Sequence, residues 1–162
     1  MLARAVRLVD GHAVVNPHDA STRPGNTPVR DRPVLLFDGA CHLCHGAVRF
    51  VLRHERAPRV LFAALQSDTG HALLRDLDLP PGILDSMVLF EDGRVFTRSE
   101  AALRLARHLR IPWSWGRALL RLPRACRDPL YDWIARHRYR WFGRADEVCL
   151  VPEPTVQERF LR

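Results

Sequence analysis

The chain has 162 residues, 47% of them hydrophobic and 27% charged. That is long enough to bury a core without disulfide staples and too apolar for wholesale disorder. The net charge of +7 comes from 25 arginines with no lysine, for which biased genome composition is the plain reading. The longest apolar run is six residues, Val60 to Leu65, against the roughly 20 a membrane span needs. No secretory h-region follows the start, and MLARAVRLVD turns acidic too soon for a transit peptide. The expectation is one domain in the cytoplasm.

In chain order, residues 1–31 carry Gly11, Pro17, Pro24, Gly25 and Pro28 with little periodicity and read as a mostly irregular extension. Val34-Leu35-Leu36-Phe37 is a continuous apolar run that suits a strand buried on both faces. Leu43, Ala47, Val48, Val51 and Leu52 then fall at helical spacing up to about Arg56, and Pro58 stops the helix. Val60 to Leu65 reads as a second buried strand. Ser67 caps a short helix bearing Leu73, Leu74 and Leu77, closed by Pro80-Pro81-Gly82.

Met87 to Phe90 predicts a third strand, Asp92-Gly93 a two-residue hairpin turn, and Arg94 to Thr97 the returning strand. Ser99 is the expected N-cap of a helix with Ala102, Leu103, Leu105, Ala106 and Leu109 on its apolar face. The order βαβα, hairpin, α on a four-stranded sheet is the thioredoxin-like layout within the α/β class, though other small α/β domains share it. This core is expected over 32–111. Beyond it, 112–162 reads as a basic helical extension packed on the core, with helices at Trp113 to Leu122 and Pro129 to Trp141.

The chemistry concentrates in Cys41-His42-Leu43-Cys44-His45, a C-x-x-C that opens a helix straight after a buried strand. The first turn of a helix presents unpaired N–H groups and partial positive charge, which stabilise a thiolate. One helical turn brings the second sulfur within bonding reach, so a mixed disulfide can be resolved internally. Cys41, the outer residue, is the expected nucleophile and Cys44 the resolving thiol. His42 and His45 add positive charge when protonated, or are simply polar residues at a helix start.

Three other readings share the motif. C-x-x-C-H is the c-type haem attachment pattern, but no export signal is visible and only Met1 and Met87 could supply a thioether. Zinc could use Cys41, Cys44 and His45 with Cys126 or Cys149, but the chain has no second C-x-x-C and no H-x3-H. Two inert buried thiols are the third.

Asp38-Gly39-Ala40-Cys41-His42-Leu43-Cys44 resembles the D-G-x-C-x-x-C signature of the DCC family of thiol-disulfide oxidoreductases. Asp92-Gly93 followed by Ser99-Glu100-Ala101-Ala102, then Pro112-Trp113, Tyr131, Arg138-Tyr139-Arg140-Trp141-Phe142-Gly143 and the late Cys149 are similar to further family segments. The resemblance covers about 33–152. It implies a thioredoxin-like fold and disulfide oxidoreductase activity, with no tightly bound cofactor required.

Asp38, shared with that signature, could raise the Cys41 thiol pKa by like-charge repulsion, accept turn N–H groups before the helix, or relay a proton to Cys44; turn-fixing ranks first and relay second. Gly39 lets the chain turn tightly. Better-known thioredoxin-like enzymes place a cis-proline before the third strand. Here that position reads Asp85-Ser86-Met87, so a substrate-docking edge would be built differently, with Ser86 as the candidate. Cys149 is a candidate third redox thiol, with an incidental thiol as the alternative; Cys126 has no supporting context.

Charge is uneven. Residues 104–144 hold eleven Arg against Asp128 and Asp132, a local balance of +9, and include all four Trp. The plain reading is an amphipathic helix with a solvated face. The functional one is contact with an anionic membrane surface or acidic partner. Nucleic acid comes third, because no recognised module is present. The leading expectation is a thiol-disulfide oxidoreductase acting on protein or small-molecule disulfides. The alternative is a non-enzymatic zinc-binding or surface-interaction module on the same fold.

Overall fold

The structure, a computed structural model, describes residues 7–9, 12–14, 32–77, 79, 86–144 and 154–161. The strands are β1 (Arg7–Val9), β2 (His12–Val14), β3 (Val34–Phe37), β4 (Leu61–Ala64), β5 (Val88–Glu91), β6 (Arg94–Thr97) and β7 (Phe160–Leu161). The α-helices are α1 (His42–His54), α2 (Asp68–Asp76), α3 (Arg98–Leu105) and α4 (Arg124–Phe142). Among the described residues, 3-10 segments span Ala106–His108, Trp113–Arg121 and Pro154–Arg159.

The strands form one mixed sheet in the order β1-β2-β6-β5-β3-β4-β7. β3 and β4 run parallel through the α1 crossover, while β5 pairs antiparallel with β3 and with β6. This is the thioredoxin-like α/β arrangement read from the sequence. The sheet is wider than the expected four strands. β1 and β2 form an antiparallel hairpin that joins the β6 edge at Val14 and Arg94, and β7 adds in parallel beyond β4. The hairpin lies in the segment read as irregular. Its sequence signal is Asp10-Gly11 between short apolar runs, outweighed by the surrounding Pro and Gly.

Alternation along β3 divides the core. Leu35 and Phe37 pack with Val48 and Val51 of α1 and with Phe62, Leu89, Phe96 and Leu105. Val34 and Leu36 face the other side with Leu61, Ala63, Leu74 and Val88. All four β3 residues are buried, and each such side chain contributes about 1.5–3 kcal/mol on transfer from water.

The expected turns and caps are largely in place. Asp92 and Gly93 both have positive φ, 52° and 72°, as a two-residue primed turn requires. The Ser67 hydroxyl caps α2 by accepting from the Gly70 N–H at 3.0 Å. At Gly70 a Cβ would lie 2.0 Å from the Ala64 carbonyl oxygen, so only glycine lets α2 sit this close to β4.

Two boundaries differ from expectation. Ser99 is not the cap of α3: the helix starts at Arg98 after Thr97, and the Ser99 hydroxyl donates to Asp128 on α4. α4 begins at Arg124, five residues before Pro129, which lies inside it. Tertiary polar contacts decide both boundaries. Glu100 of α3 accepts from Arg124 and pairs with Arg127 at 3.5 Å, fastening the first turn of α4 to the core. Arg159, before β7, pairs with Glu55 and donates to the Val60 carbonyl at 2.7 Å, closing the far edge.

Candidate active site

The carboxyl ends of β3 and β4 lie side by side, where parallel α/β sheets build their sites. Asp38 follows β3 and Gln66 follows β4. The Asp38 Oδ1 accepts from the Ala40 N–H at 2.9 Å and from Gln66 Nε2 at 2.8 Å, and the Gln66 Oε1 accepts from the Gly39 N–H at 2.9 Å. Two loops are thus tied together under the start of α1. The Asp38–Ala40 bond is the contact a turn-fixing carboxylate makes.

Cys41 is the N-cap of α1, with extended backbone (φ −115°, ψ 117°), and its carbonyl accepts the first helical bond from the His45 N–H at 3.0 Å. Cys41 thus sits at the electropositive helix terminus, its side chain making no cap hydrogen bond, and Cys44 follows one turn in. Of the two, Cys41 has no exposed surface, while Cys44 is partly exposed. Cys41 is therefore the inner residue of the pair, not the outer one that its place in the motif predicts. The backbone of Arg144, just past α4, forms an antiparallel bridge with Cys41. The neighbouring Gly143 has a positive φ of 78°, which favours glycine, and a Cβ there would meet the His42 ring at an ordinary contact distance of 3.5 Å. This strap from the far end of the chain covers Cys41, and local spacing carries no trace of it.

The larger omission from the sequence reading is α4's contribution. Arg138, a hundred residues downstream, is buried and donates to Asp38 Oδ2 at 3.0 Å. The Tyr139 hydroxyl donates to the same oxygen. Burial would raise the Asp38 pKa, but hydrogen bonds from Tyr139, Ala40 and Gln66, with the Arg138 charge, outweigh it and hold the carboxyl below its ordinary value. With that carboxyl ionised and its oxygens engaged, the geometry favours fixing the turn over relaying protons. Arg138 and Tyr139 lie in the segment that carried the family resemblance; Gln66 had only its place at a strand end as a signal.

Burial, then the hydrogen bond and negative charge of Cys41, push the Cys44 thiol up to about 12; Arg138 acts in the opposite direction. His45 is buried, and its Nε2–H donates to the Gly39 carbonyl at 2.8 Å. Its pKa is lowered chiefly by that burial, so it serves the turn as a neutral donor. His42 stands at the start of α1 with its ring edge-on to His45. Beside them, α1, α3 and α4 border an open apolar cavity of about 440 Å3, lined by His42, Leu43, Phe50, Met87, Leu105 and Phe142 among others.

Asp38, Gly39, Cys41, His42, Cys44 and His45 are therefore assembled in one place. Ser86 stands at the entrance to β5, where its hydroxyl accepts the Arg98 N–H at 3.1 Å. The next N–H, of Met87, donates to the Tyr131 hydroxyl of α4 at 3.1 Å. The edge expected to dock substrate is thus partly occupied by the chain itself. A cis peptide bond precedes Pro112 instead. Cys126 is exposed on α4, away from the paired thiols in sequence and element. Cys149 lies outside the described residues.

Residues 35–144 match the DCC1-like thiol-disulfide oxidoreductase family. The chain belongs to that family. Membership gives it a general thiol-disulfide redox role. It is 45% identical over 128 residues to YuxK, an uncharacterized protein of Bacillus subtilis, covering 79% of this chain and 93% of YuxK. It is 40% identical over 120 residues to a chloroplastic DCC family protein of Arabidopsis thaliana, covering 74% of this chain and 70% of that protein. No solved structure matches significantly. The matched span of the DCC family includes both cysteines, Asp38, Gln66 and the Arg138–Tyr139 pair. A chloroplastic relative means that membership does not fix the cytoplasm as the compartment. No helix among the described residues is long and apolar enough to cross a membrane.

Proposed function

We propose that the protein exchanges a Cys41–Cys44 dithiol with disulfides in proteins or small molecules. The Cys41 thiolate attacks one substrate sulfur, forming a mixed disulfide and releasing the other sulfur as a thiolate. Cys44 gives its proton to that released thiolate, and the resulting Cys44 thiolate attacks the Cys41 sulfur. The Cys41–Cys44 bond forms, the second substrate thiolate leaves, and two electrons have passed to the substrate. The same steps reversed oxidise a dithiol; a reducing cytoplasm favours the forward direction.

The observation that carries this reading is the seat of the C-x-x-C at the N-terminus of α1, within the residues that match the family. The division of roles is supported by Cys44, whose proton is held by burial and by the neighbouring Cys41. Once Cys41 enters the mixed disulfide its charge disappears, and with it part of what holds that proton. The opposing charge of Arg138 remains. Attack by the first sulfur thus prepares the second.

Asp38, Gly39 and His45 hold the turn, His42 borders the cavity, and that cavity offers an apolar side chain of the substrate a place beside the thiols. Access for a protein disulfide requires the Gly143–Arg144 strap to lift from Cys41. The test is reduction of insulin disulfides with dithiothreitol as donor. The wild-type chain is expected to turn over many times per molecule, above the Cys41→Ser/Cys44→Ser double variant. Equal rates for the two proteins would refute the reading.

A further inference from the structure

Every exposed large hydrophobic side chain among the described residues falls between 111 and 142. The rest of the described surface shows no such group, so the exposure belongs to one region. α4 explains how it arises. Its Arg127, Asp128, Tyr131 and Arg138 turn toward α3, β5 and Asp38. Leu130, Trp133, Ile134, His137 and Trp141, at helical spacing, form a separate stripe. Within it the rings of Trp133, His137 and Trp141 contact one another at 4.9–5.3 Å rather than the core. Leu130 is 60% exposed, and Trp133 and Trp141 are nearly half exposed. The 3-10 segment before α4 adds Trp115, 69% exposed.

Charge selects the occupant. The acids of this region are engaged inward or along its edge: Asp128 accepts from Ser99, and Asp132 pairs with Arg98 at 3.4 Å. Arg117, Arg121, Arg136 and Arg140 are exposed and form no ion pair among the described residues. A second copy would bring the same positive face against itself, which like-charge repulsion opposes. An anionic bilayer accepts both halves of the surface: indoles at the headgroup level and guanidinium groups beside acidic lipids. A headgroup layer also needs no complementary relief, which suits side chains spread over two helical segments.

We propose that this Trp- and Arg-bearing face docks the protein on anionic phospholipid. Phe142 both lines the cavity beside the dithiol and belongs to the exposed set, so docking brings the thiols close to the membrane surface.

The test uses the full chain with vesicles of phosphatidylcholine alone or mixed with phosphatidylglycerol. Expected are co-sedimentation with the mixed vesicles only, a blue shift of tryptophan emission, and weakening by salt. Trp133→Ser/Trp141→Ser and, separately, Arg136→Gln/Arg140→Gln should each weaken binding about tenfold or more with the thermal unfolding midpoint retained. The Cys41→Ser/Cys44→Ser protein should bind like wild type, which separates this proposal from the redox reading. Quenching of wild-type emission by brominated phosphatidylglycerol gives a readout that needs no variant. The proposal is overturned by absence of binding to mixed vesicles, by binding without an emission shift or quenching, by equal capture on polyglutamate, or by a dimer that the Trp substitutions dissolve.

Discussion

Cys44→Ser is expected to accumulate a mixed disulfide on Cys41 when mixed with a protein disulfide, with its steady-state turnover falling to the background of the double serine variant. The reason lies in the order of events. In the proposed order Cys41 at the helix terminus makes the first bond, and only a sulfur one turn away can break it from within. Intact-mass measurement should show one covalent partner per chain, released by dithiothreitol and mapped to Cys41 by peptide analysis. Cys41→Ser should form no adduct and show the same loss of turnover. The complementary pattern, an adduct on Cys44 in Cys41→Ser and none in Cys44→Ser, would reverse the roles. The burial of Cys41 and partial exposure of Cys44 make that comparison informative.

Asp38→Asn is expected to destabilise the fold by about 3–5 kcal/mol near neutral pH, the cost of leaving one member of a buried ion pair uncompensated. The side chains of Arg138 and Asp38 are 6% and 5% exposed, so water does little to screen the guanidinium once the carboxylate is gone. An amide would also turn donors toward Arg138 and Tyr139, which are donors already. The pH dependence follows from the direction of the Asp38 shift. Its folded pKa lies below the unfolded value near 3.9. Its contribution is therefore fully present above that value and is lost as pH falls through the folded pKa. Urea unfolding should show a large gap between wild type and Asp38→Asn at neutral pH, narrowing in acid below about pH 4. A gap that stays constant into acid would mean the carboxylate charge is not what holds Arg138.

How much of this was legible depends on the sequence separation of the partners. The dithiol at a strand-to-helix junction, the Ser67 cap and the Asp92-Gly93 turn are local patterns, and each is present in the fold. The buried strands were marked by continuous apolar runs. The tie between Asp38 and Arg138 spans a hundred residues, and nothing in local periodicity separates Arg138 from the ten other arginines of 104–144. The covering of Cys41 was hidden for the same reason, since Gly143 and Arg144 reach it only after α4 has packed. The starts of α3 and α4 were misplaced because Ser99 and Arg124 answer to partners on another element rather than to helix propensity.

The proposed activity requires one reversible bond between Cys41 and Cys44. The most direct measurement is equilibration of the wild-type protein across a series of glutathione redox buffers, followed by acid quench, alkylation and peptide mass analysis. The prediction is a single two-electron transition in which the peptide holding both cysteines becomes lighter by two hydrogens, while Cys126 stays alkylated throughout. Persistence of free thiols at Cys41 and Cys44 in the most oxidising buffer, or their separate capture by glutathione without joining each other, would contradict it.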